Sequence, residues 1–261
     1  MSMDNENLSS QTITEGLGTR FIGQRVLYFP SVTSTNDVAR QEAQQGAPEG
    51  TAVIADEQTA GKGRLKRTWL TPKGNVAVSI VFRPALSHLS SFIMLASLAV
   101  VHTIKSVTGV VAQIKWPNDV LINGKKVCGI LIESDVRGDK VNFAVVGIGI
   151  NVNLSLADFP EVRATATSLS DESGRNVSRS SVIRCLLVEI EKLYLVLSSG
   201  GPIYEEWRGN LVTLGQQVRV RSGETVYEGT AESVARDGSL LLRGSDGSLR
   251  QILVGDVTLR D

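Results

Sequence analysis

Apolar and polar positions along the 261-residue chain follow two different periods, and where the period changes the chain divides. The polar, acidic start "MSMDNENLSS" sustains neither, so residues 1–20 are expected to be a flexible tail. After "VLYFP", the stretch "SVTSTNDVARQEAQQG" predicts a helix that begins near Thr35 or Asn36 and stops at Gly46, a natural C′ glycine. "TAVIADEQ" and the alternating "VAVSIVF" predict strands. From Pro84 to Ile104 no charged residue occurs, which predicts a buried helix. Its apolar core of about ten residues falls short of the roughly 20 needed to span a membrane.

The hairpin signal is clearest in "QIKWPNDVLINGKKVCGILIES", where Asn123-Gly124 sits between β-prone runs as a type I′ turn. Pro117 breaks the first run, so a bend is expected between Trp116 and Asp119. "VNFAVVGIGINVN" predicts a buried strand, and Ser180–Ser199 has apolar residues at helical spacing, closed by Gly200-Gly201. After about Leu211 the pattern shortens. Five β-prone runs separated by Ser222-Gly223, Asp237-Gly238 and Asp246-Gly247 predict a small antiparallel barrel, with a boundary near residue 212.

Composition changes this picture little. With 42% hydrophobic and 21% charged residues the chain reads as an ordinary globular protein. Lys+Arg 27 against Asp+Glu 27 argues against a protein that coats nucleic acid by bulk charge. Cys128 and Cys185 lie in apolar surroundings and are expected to be reduced thiols. His88 and His102 are too few for a His/Cys zinc site or a well-stocked Ser-His-Asp system. Without a signal peptide the expected compartment is the cytoplasm.

Charge becomes informative only locally. In "QTAGKGRLKRTW", Gly61 and Gly63 are threaded among Lys62, Arg64, Lys66 and Arg67. A phosphate loop of the Walker type would need a glycine at Asp56 and a Ser or Thr at Gly63, so it is excluded. Glycines that let backbone amides approach a ligand, combined with fixed cations, suit a lid over an anion; a solvated basic loop is the plain alternative. "GIGIN" at 147–151 lacks the third glycine of a dinucleotide fingerprint and is better explained by close approach of a ligand or neighbouring strand. Taken singly, Ser34-Thr35-Asn36 is a helix cap, "KWPND" a polar turn and Lys126 a surface lysine.

Taken in order, these blocks say more. S-T-N at 34–36, Q-x-A-G-x-G-R-x-x-R-x-W at 58–69, K-W-P-N-D at 115–119, N-G-K-K-V-x-G-I-L-I-E at 123–133 and G-I-G-I-N-V-N at 147–153 together resemble the biotin protein ligases, and "GDVTLR" resembles that family's C-terminal domain. The resemblance implies an α+β fold: a mixed sheet packed with helices, related to class II aminoacyl-tRNA synthetases and lipoate ligases, over residues 21–212. An SH3-like barrel over 213–261 would follow. It implies an enzyme that uses ATP and Mg²⁺ to activate biotin as biotinoyl-5′-AMP and then transfers biotin to a lysine of a biotin carboxyl carrier domain.

Carried over by motif, Ser34, Thr35 and Asn36 match the segment on biotin's ureido ring, and Gln58 matches a glutamine of the biotin pocket. Gly61, Lys62, Gly63 and Arg64 fall on the closing loop. Arg67 and Trp69 match residues near the nucleotide. Asn118 and Asp119 match the amide and acid near the triphosphate and its Mg²⁺. Lys126 matches the lysine on the biotin carboxylate and α-phosphate, Gly129 lines the pocket, and Asn151 matches an asparagine near adenosine and metal. Lys126, Arg64 and Asp119 are the expected catalytic groups, Asp119 as base or orienting group.

The catalytic pattern begins within about 30 residues of Met1, so a ligase without the family's N-terminal DNA-binding domain is expected, with no nucleic-acid or membrane partner. Both monomers and dimers occur in the family, and the resemblance leaves a homodimer open. The carrier is expected to dock against a sheet edge, by analogy with strand addition. The rivals are a lipoate or octanoate enzyme on the related fold, and a binding module for nucleic acid or peptide.

The loop departs from the family's G-R-G-R-x-G-R at Lys62 and Lys66. Lysine keeps the charge but lacks arginine's planar fork, and Lys66 replaces a glycine. The adenylate should therefore leak faster from this chain than from its Lys66→Gly variant. Release of labelled biotinoyl-AMP measures this, and equal or slower leakage from the parent would refute it.

Overall fold

The computed structural model describes residues 8–156 and 159–259. Seven strands form one sheet: β1 (Val26–Phe29), β2 (Ala52–Ala55), β3 (Val76–Phe82), β4 (Gln113–Lys115), β5 (Asp119–Ile122), β6 (Lys125–Arg137) and β7 (Lys140–Ile150), in the order β1-β2-β3-β7-β6-β5-β4. Only β1 and β2 pair in parallel. A parallel pair needs a crossover, and α2 (Thr35–Gln44) supplies it.

All seven residues of β3 are buried, which departs from the one-sided strand that its alternation suggested. Helices cover both faces of the sheet. Val76, Val78, Ile80 and Phe82 join the large core with α3 (Phe92–Thr108) and α5 (Arg179–Ser198). Val81 meets Ala39 and Ala43 of α2 on the opposite side, together with Val53 and Val145. The segment Leu86–Thr108 is long and apolar enough to cross a membrane by length and composition, but 61% of its most apolar window is buried in the fold. It is the core helix that closes one face of the sheet.

Asn123 and Gly124 both have positive φ (50° and 77°), as a type I′ turn requires, and join Ile122 to Lys125. The bend at Pro117 is a tight turn between β4 and β5, which pair antiparallel with Lys115 opposite Asp119. The Trp116–Pro117 peptide is cis. Both cysteines are free; Cys128 is buried and Cys185 only half-buried.

The C-terminal part forms a second, five-stranded antiparallel sheet: β8 (Gln217–Ser222), β9 (Thr225–Val234), β10 (Leu240–Arg243), β11 (Leu249–Ile252) and β12 (Asp256–Leu259), in the order β11-β10-β9-β8-β12. It has the form of a small SH3-like barrel. Side-chain hydrogen bonds tie it to the rest: the Trp116 indole donates to Gly238 O at 2.8 Å, and Tyr204 of α6 (Tyr204–Gly209) donates to Val234 O at 2.5 Å.

The expected tail needs correction. Residues 1–7 lie outside the described residues, but residues 8–20 are built into the fold. Ser9 caps α1 (Ser10–Thr14) in a capping box with Thr12, and Ile13 is fully buried. Arg184 of α5 donates to the carbonyls of Ile13, Glu15 and Gly16 at 2.6–3.0 Å. One α5 turn pair further on, the Glu191 carboxylate accepts the amides of Arg20, Phe21 and Ile22 at 2.7, 2.9 and 3.0 Å. These carbonyls and amides have no local partners in a regular element, so α5 supplies them.

Replacing Glu191 by Ala leaves those amides, one buried and two part-buried, without their carboxylate. It should destabilise the protein by about 3 kcal/mol, measured by urea denaturation, with Glu191→Gln intermediate. A loss below about 0.5 kcal/mol would show that the N-terminal segment is not held in this way.

Candidate functional site

On the α2 side of the sheet, residues with little or no side chain line up across three strands in one rung and across two in the next. Ala77, Gly149 and Gly129 form one rung, and Ser79, Gly147 and Leu131 the next. The other face of the same strands carries Val78, Ile80, Ile148, Ile150 and Ile130. Helix α2 covers only the Val53–Val81–Val145 end of this side. The rungs left uncovered are the floor of a cavity of about 730 Å³, counting its open mouth.

Two side chains rest on that floor because glycine leaves room. A Cβ on Gly149 would lie 2.1 Å from the Trp69 indole nitrogen, and one on Gly147 would lie 2.0 Å from Asn36 Oδ1. Neither contact is possible with any other residue. The "GIGIN" glycines thus admit side chains of a helix and a loop rather than a dinucleotide.

The cation-rich stretch folds as a hairpin of its own. Gln58 pairs with Thr71 and Lys62 with Thr68 as isolated bridges. Trp69 N donates to Gly61 O (2.9 Å) and Gly63 N to Arg67 O (2.7 Å). Gly61 is required here, since a Cβ would meet Trp69 O at 2.3 Å. The tip is a single 3₁₀ turn, Arg64–Lys66, in which Leu65 takes the positive φ (55°). The side chain of Lys66 lies outside the described residues.

Polar groups converge around the cavity. At one end Thr35 N donates to Gln58 Oε1 (2.8 Å), and Gln58 Nε2 donates to Thr71 Oγ1 (2.9 Å). Ser34 begins α2 but its side chain makes no cap hydrogen bond, so the plain cap explanation does not account for it. At the other end Lys126 Nζ lies 2.6 Å from Asp119 Oδ1 and 5.1 Å from the centre of the Trp69 ring. Arg64 donates to Asn118 Oδ1 (2.9 Å), whose Nδ2 is fixed on Ile130 O (2.9 Å). Lys62 pairs with Asp37 of α2 at 2.6 Å, and Arg67 pairs with Asp256 of β12.

Burial lowers the pKa of Arg64, and Asp256 and Asp119 oppose the shift. Lys115 is also depressed, by burial first, with Asp119 opposing and Lys126 adding to it. Apart from the Lys62–Asp37 pair, Arg64, Arg67, Lys115 and Lys126 share Asp119 and Asp256, which leaves an excess of positive charge suited to a polyanion. Among the described residues no group of three or more His, Cys, Asp or Glu could hold a metal. Asp119 can offer a hydrated Mg²⁺ one carboxylate, and Mg²⁺ commonly binds through one or two carboxylates plus substrate phosphates. The residues present therefore fit an ion that arrives with a nucleotide.

Of the residues singled out in the sequence, Ser34, Thr35, Asn36, Gln58, Lys62, Gly63, Arg64, Arg67, Trp69, Asn118, Asp119, Lys126 and Gly129 all line this one cavity. Gly61 and Asn151 do not. Gly61 closes the hairpin, and Asn151 donates from Nδ2 to Thr167 O at 3.0 Å, fastening the segment that runs beside Lys126. Ser79, Glu133 and Asp256 were not anticipated at the site, and Gly147 and Gly149 were expected only to allow close approach of a ligand or neighbouring strand. Ser79 is the sole polar residue in an otherwise apolar strand, a signal that was available. Asp256 reaches the site from the barrel, which no local pattern reveals.

Comparison with known proteins agrees with this geometry. Residues 28–151 match the Biotin/lipoate A/B protein ligase family, and residues 213–260 match the biotin protein ligase C-terminal domain. The bifunctional ligase/repressor BirA of Bacillus subtilis is 40% identical over 258 residues, covering 97% of this chain and 79% of the relative. The biotin–[acetyl-CoA-carboxylase] ligase of Paracoccus denitrificans is 36% identical, over 83% of this chain and 94% of that protein. Among solved structures, the biotin protein ligase from Aquifex aeolicus in complex with biotin and ATP superposes with a TM-score of 0.77 at 29% identity, over 91% of this chain and 99% of that one.

Gly149→Ala should lift the Trp69 indole from the sheet. Trp116 and Trp207 are fully buried and serve as internal references, so the variant should show red-shifted emission and greater acrylamide quenching. Spectra identical to the parent would mean that Trp69 does not rest on Gly149.

Proposed function

The chain belongs to the biotin protein ligase family and is a biotin–protein ligase, and from that premise we propose how its residues carry the reaction. Biotin is activated with ATP to biotinoyl-5′-AMP and pyrophosphate, and the biotinoyl group passes to a lysine of the biotin carboxyl carrier domain of a carboxylase, with AMP leaving. The names of the Paracoccus relative and of the Aquifex complex support carrier, biotin and ATP in these roles. The observation that carries the proposal is the cavity itself, which Lys126 lines from a strand and Arg64 from a hairpin, over a floor of small residues.

Joining a carboxylate to an α-phosphate brings two anions together. Lys126, held by Asp119 and placed against Trp69, neutralises both as the bond forms. Arg64, steered by Asn118, stabilises the charge that builds on the phosphate oxygens. Arg67 and Lys115 extend the positive field toward departing pyrophosphate. Mg²⁺, arriving with ATP near Asn118 and Asp119, would supply further countercharge to the phosphates. Biotin's polar ring lies toward Ser34, Thr35 and Gln58, and the hairpin from Gln58 to Thr71 acts as the lid that keeps water from the adenylate.

In the second step the incoming lysine amine loses a proton. Asp119 serves as the base that accepts it, in addition to orienting Lys126. The carrier docks against the open edge of β6 beyond Ile130, where β5 no longer pairs. The proposal concerns ligation; the repressor role in the name of the Bacillus relative forms no part of it.

Biotin-dependent exchange of labelled pyrophosphate into ATP tests the first step, with lipoate and octanoate run in parallel. Exchange with biotin alone is expected, and Lys126→Ala should lower its rate by about 10²–10³-fold while leaving thermal stability nearly unchanged. Exchange supported by lipoate or octanoate instead would move the protein to the related acid-activating enzymes. No exchange with any of the three acids would reject the reading.

A further inference from the structure

The Asn36 carboxamide is 4% exposed and is held from three sides. Ser79 Oγ lies 2.7 Å from Asn36 Oδ1, and Asn36 Nδ2 donates to Glu133 Oε2 at 2.8 Å. Gly147, between these two residues on the neighbouring strand, leaves the space the amide fills. Ser79 is fully buried and also lies 2.8 Å from Thr35 Oγ1, which in turn is 3.0 Å from Gln58 Oε1. An amide whose oxygen faces a hydroxyl and whose nitrogen faces a carboxylate has its orientation decided, because a flip would set oxygen against oxygen.

We propose that Ser79, Gly147 and Glu133 form a clamp on the Asn36 amide, which positions the first turn of α2 over the cavity floor. Asn36 then serves the site chiefly as an anchor, and Ser34 and Thr35 are presented to the substrate by it. Ser79 and Glu133 are positioning residues for the acid substrate, acting through Asn36 and Thr35. The clamp lies at the end of the cavity away from Lys126, Arg64 and Arg67, so it governs recognition of the acid and not of the nucleotide. The kinetic arm below rests on the proposed ligase reaction; the spectroscopic arm does not.

In the spectroscopic arm, the Asn36 side-chain amide signals of the ¹⁵N-labelled protein are identified by their loss in Asn36→Asp. Slow exchange with solvent is expected in the parent, and fast exchange in Ser79→Ala and Glu133→Ala. A freely exchanging Asn36 amide in the parent would overturn the clamp whatever the protein catalyses. In the kinetic arm, Ser79→Ala and Glu133→Ala should each raise KM for biotin by about tenfold, with KM for ATP within about twofold of the parent.

Glu133→Gln keeps an acceptor for the Asn36 N–H and should restore most of the loss. The double variant Ser79→Ala/Glu133→Ala should be less than multiplicative, because both act on one amide. Equal rises in both Michaelis constants, accompanied by a lower melting temperature, would indicate a merely structural role and reject the proposal. Biotin kinetics unchanged in a variant whose Asn36 amide exchanges fast would reject it equally. Absence of biotin turnover in the parent, with a protected Asn36 amide, would instead reject the ligase reading and leave the clamp standing.

Discussion

The site depends on a steric condition in the sheet: two adjacent rungs, Ala77–Gly149–Gly129 and Ser79–Gly147, must stay low on one face. The sheet needs large side chains to make a core, and it puts them on the other face, against α3 and α5. Period-two alternation lets the same three strands do both things at once. A side chain larger than Gly at 147 or 149 would collide with Asn36 or Trp69, and these two position the helix end and the hairpin that enclose the cavity. Shape at the site is thus made by omission of side chains, in an interior that elsewhere is filled.

Charge is then delivered to this space from elements far apart in the chain. Arg64 and Arg67 come from the hairpin, Asp119 from the turn at Pro117, Lys126 from β6 and Asp256 from the barrel, while Lys115, across that turn from Asp119, couples to the cluster without lining the cavity. Two carboxylates among four cations keep the cluster tolerable before a polyanion arrives, since unpaired like charges at close range repel. The Arg67–Asp256 contact gives the barrel a direct hold on the hairpin. The barrel belongs to the site's electrostatics as well as to the fold.

The scaffold behind the cavity is held by long-range polar contacts as well as by packing. Glu191 and Arg184, two turns apart on α5, receive the N-terminal segment, while Asp56, just before Gln58, is joined to Arg179 at 2.7 Å and to Tyr28 at 2.5 Å. Burial first, and then the bond to Asp56, push the Tyr28 pKa up to about 12. These contacts connect α5 to the start of the ligand hairpin through the sheet edge.

Much of the fold was legible in the linear pattern, because helix caps, the Asn123-Gly124 turn and strand alternation are local matters decided within a few residues. Most of the expected site residues proved to share one cavity, since their ordered motifs each carry a turn or a glycine whose role is local. Residues 8–20 were misjudged because their stability comes from Arg184 and Glu191, over 160 positions away, and polar composition cannot show a distant partner. Glu133 and Asp256 were missed for the same reason, since their meaning lies in register and domain contact; Ser79 stood out in its apolar strand, but its partners across the fold did not show. Sequence determined which elements form and which chemistry they carry; tertiary structure decided which face each small residue turned to, and so where the cavity lies. Strand pairing and helix packing are long-range choices, made only when the whole core closes.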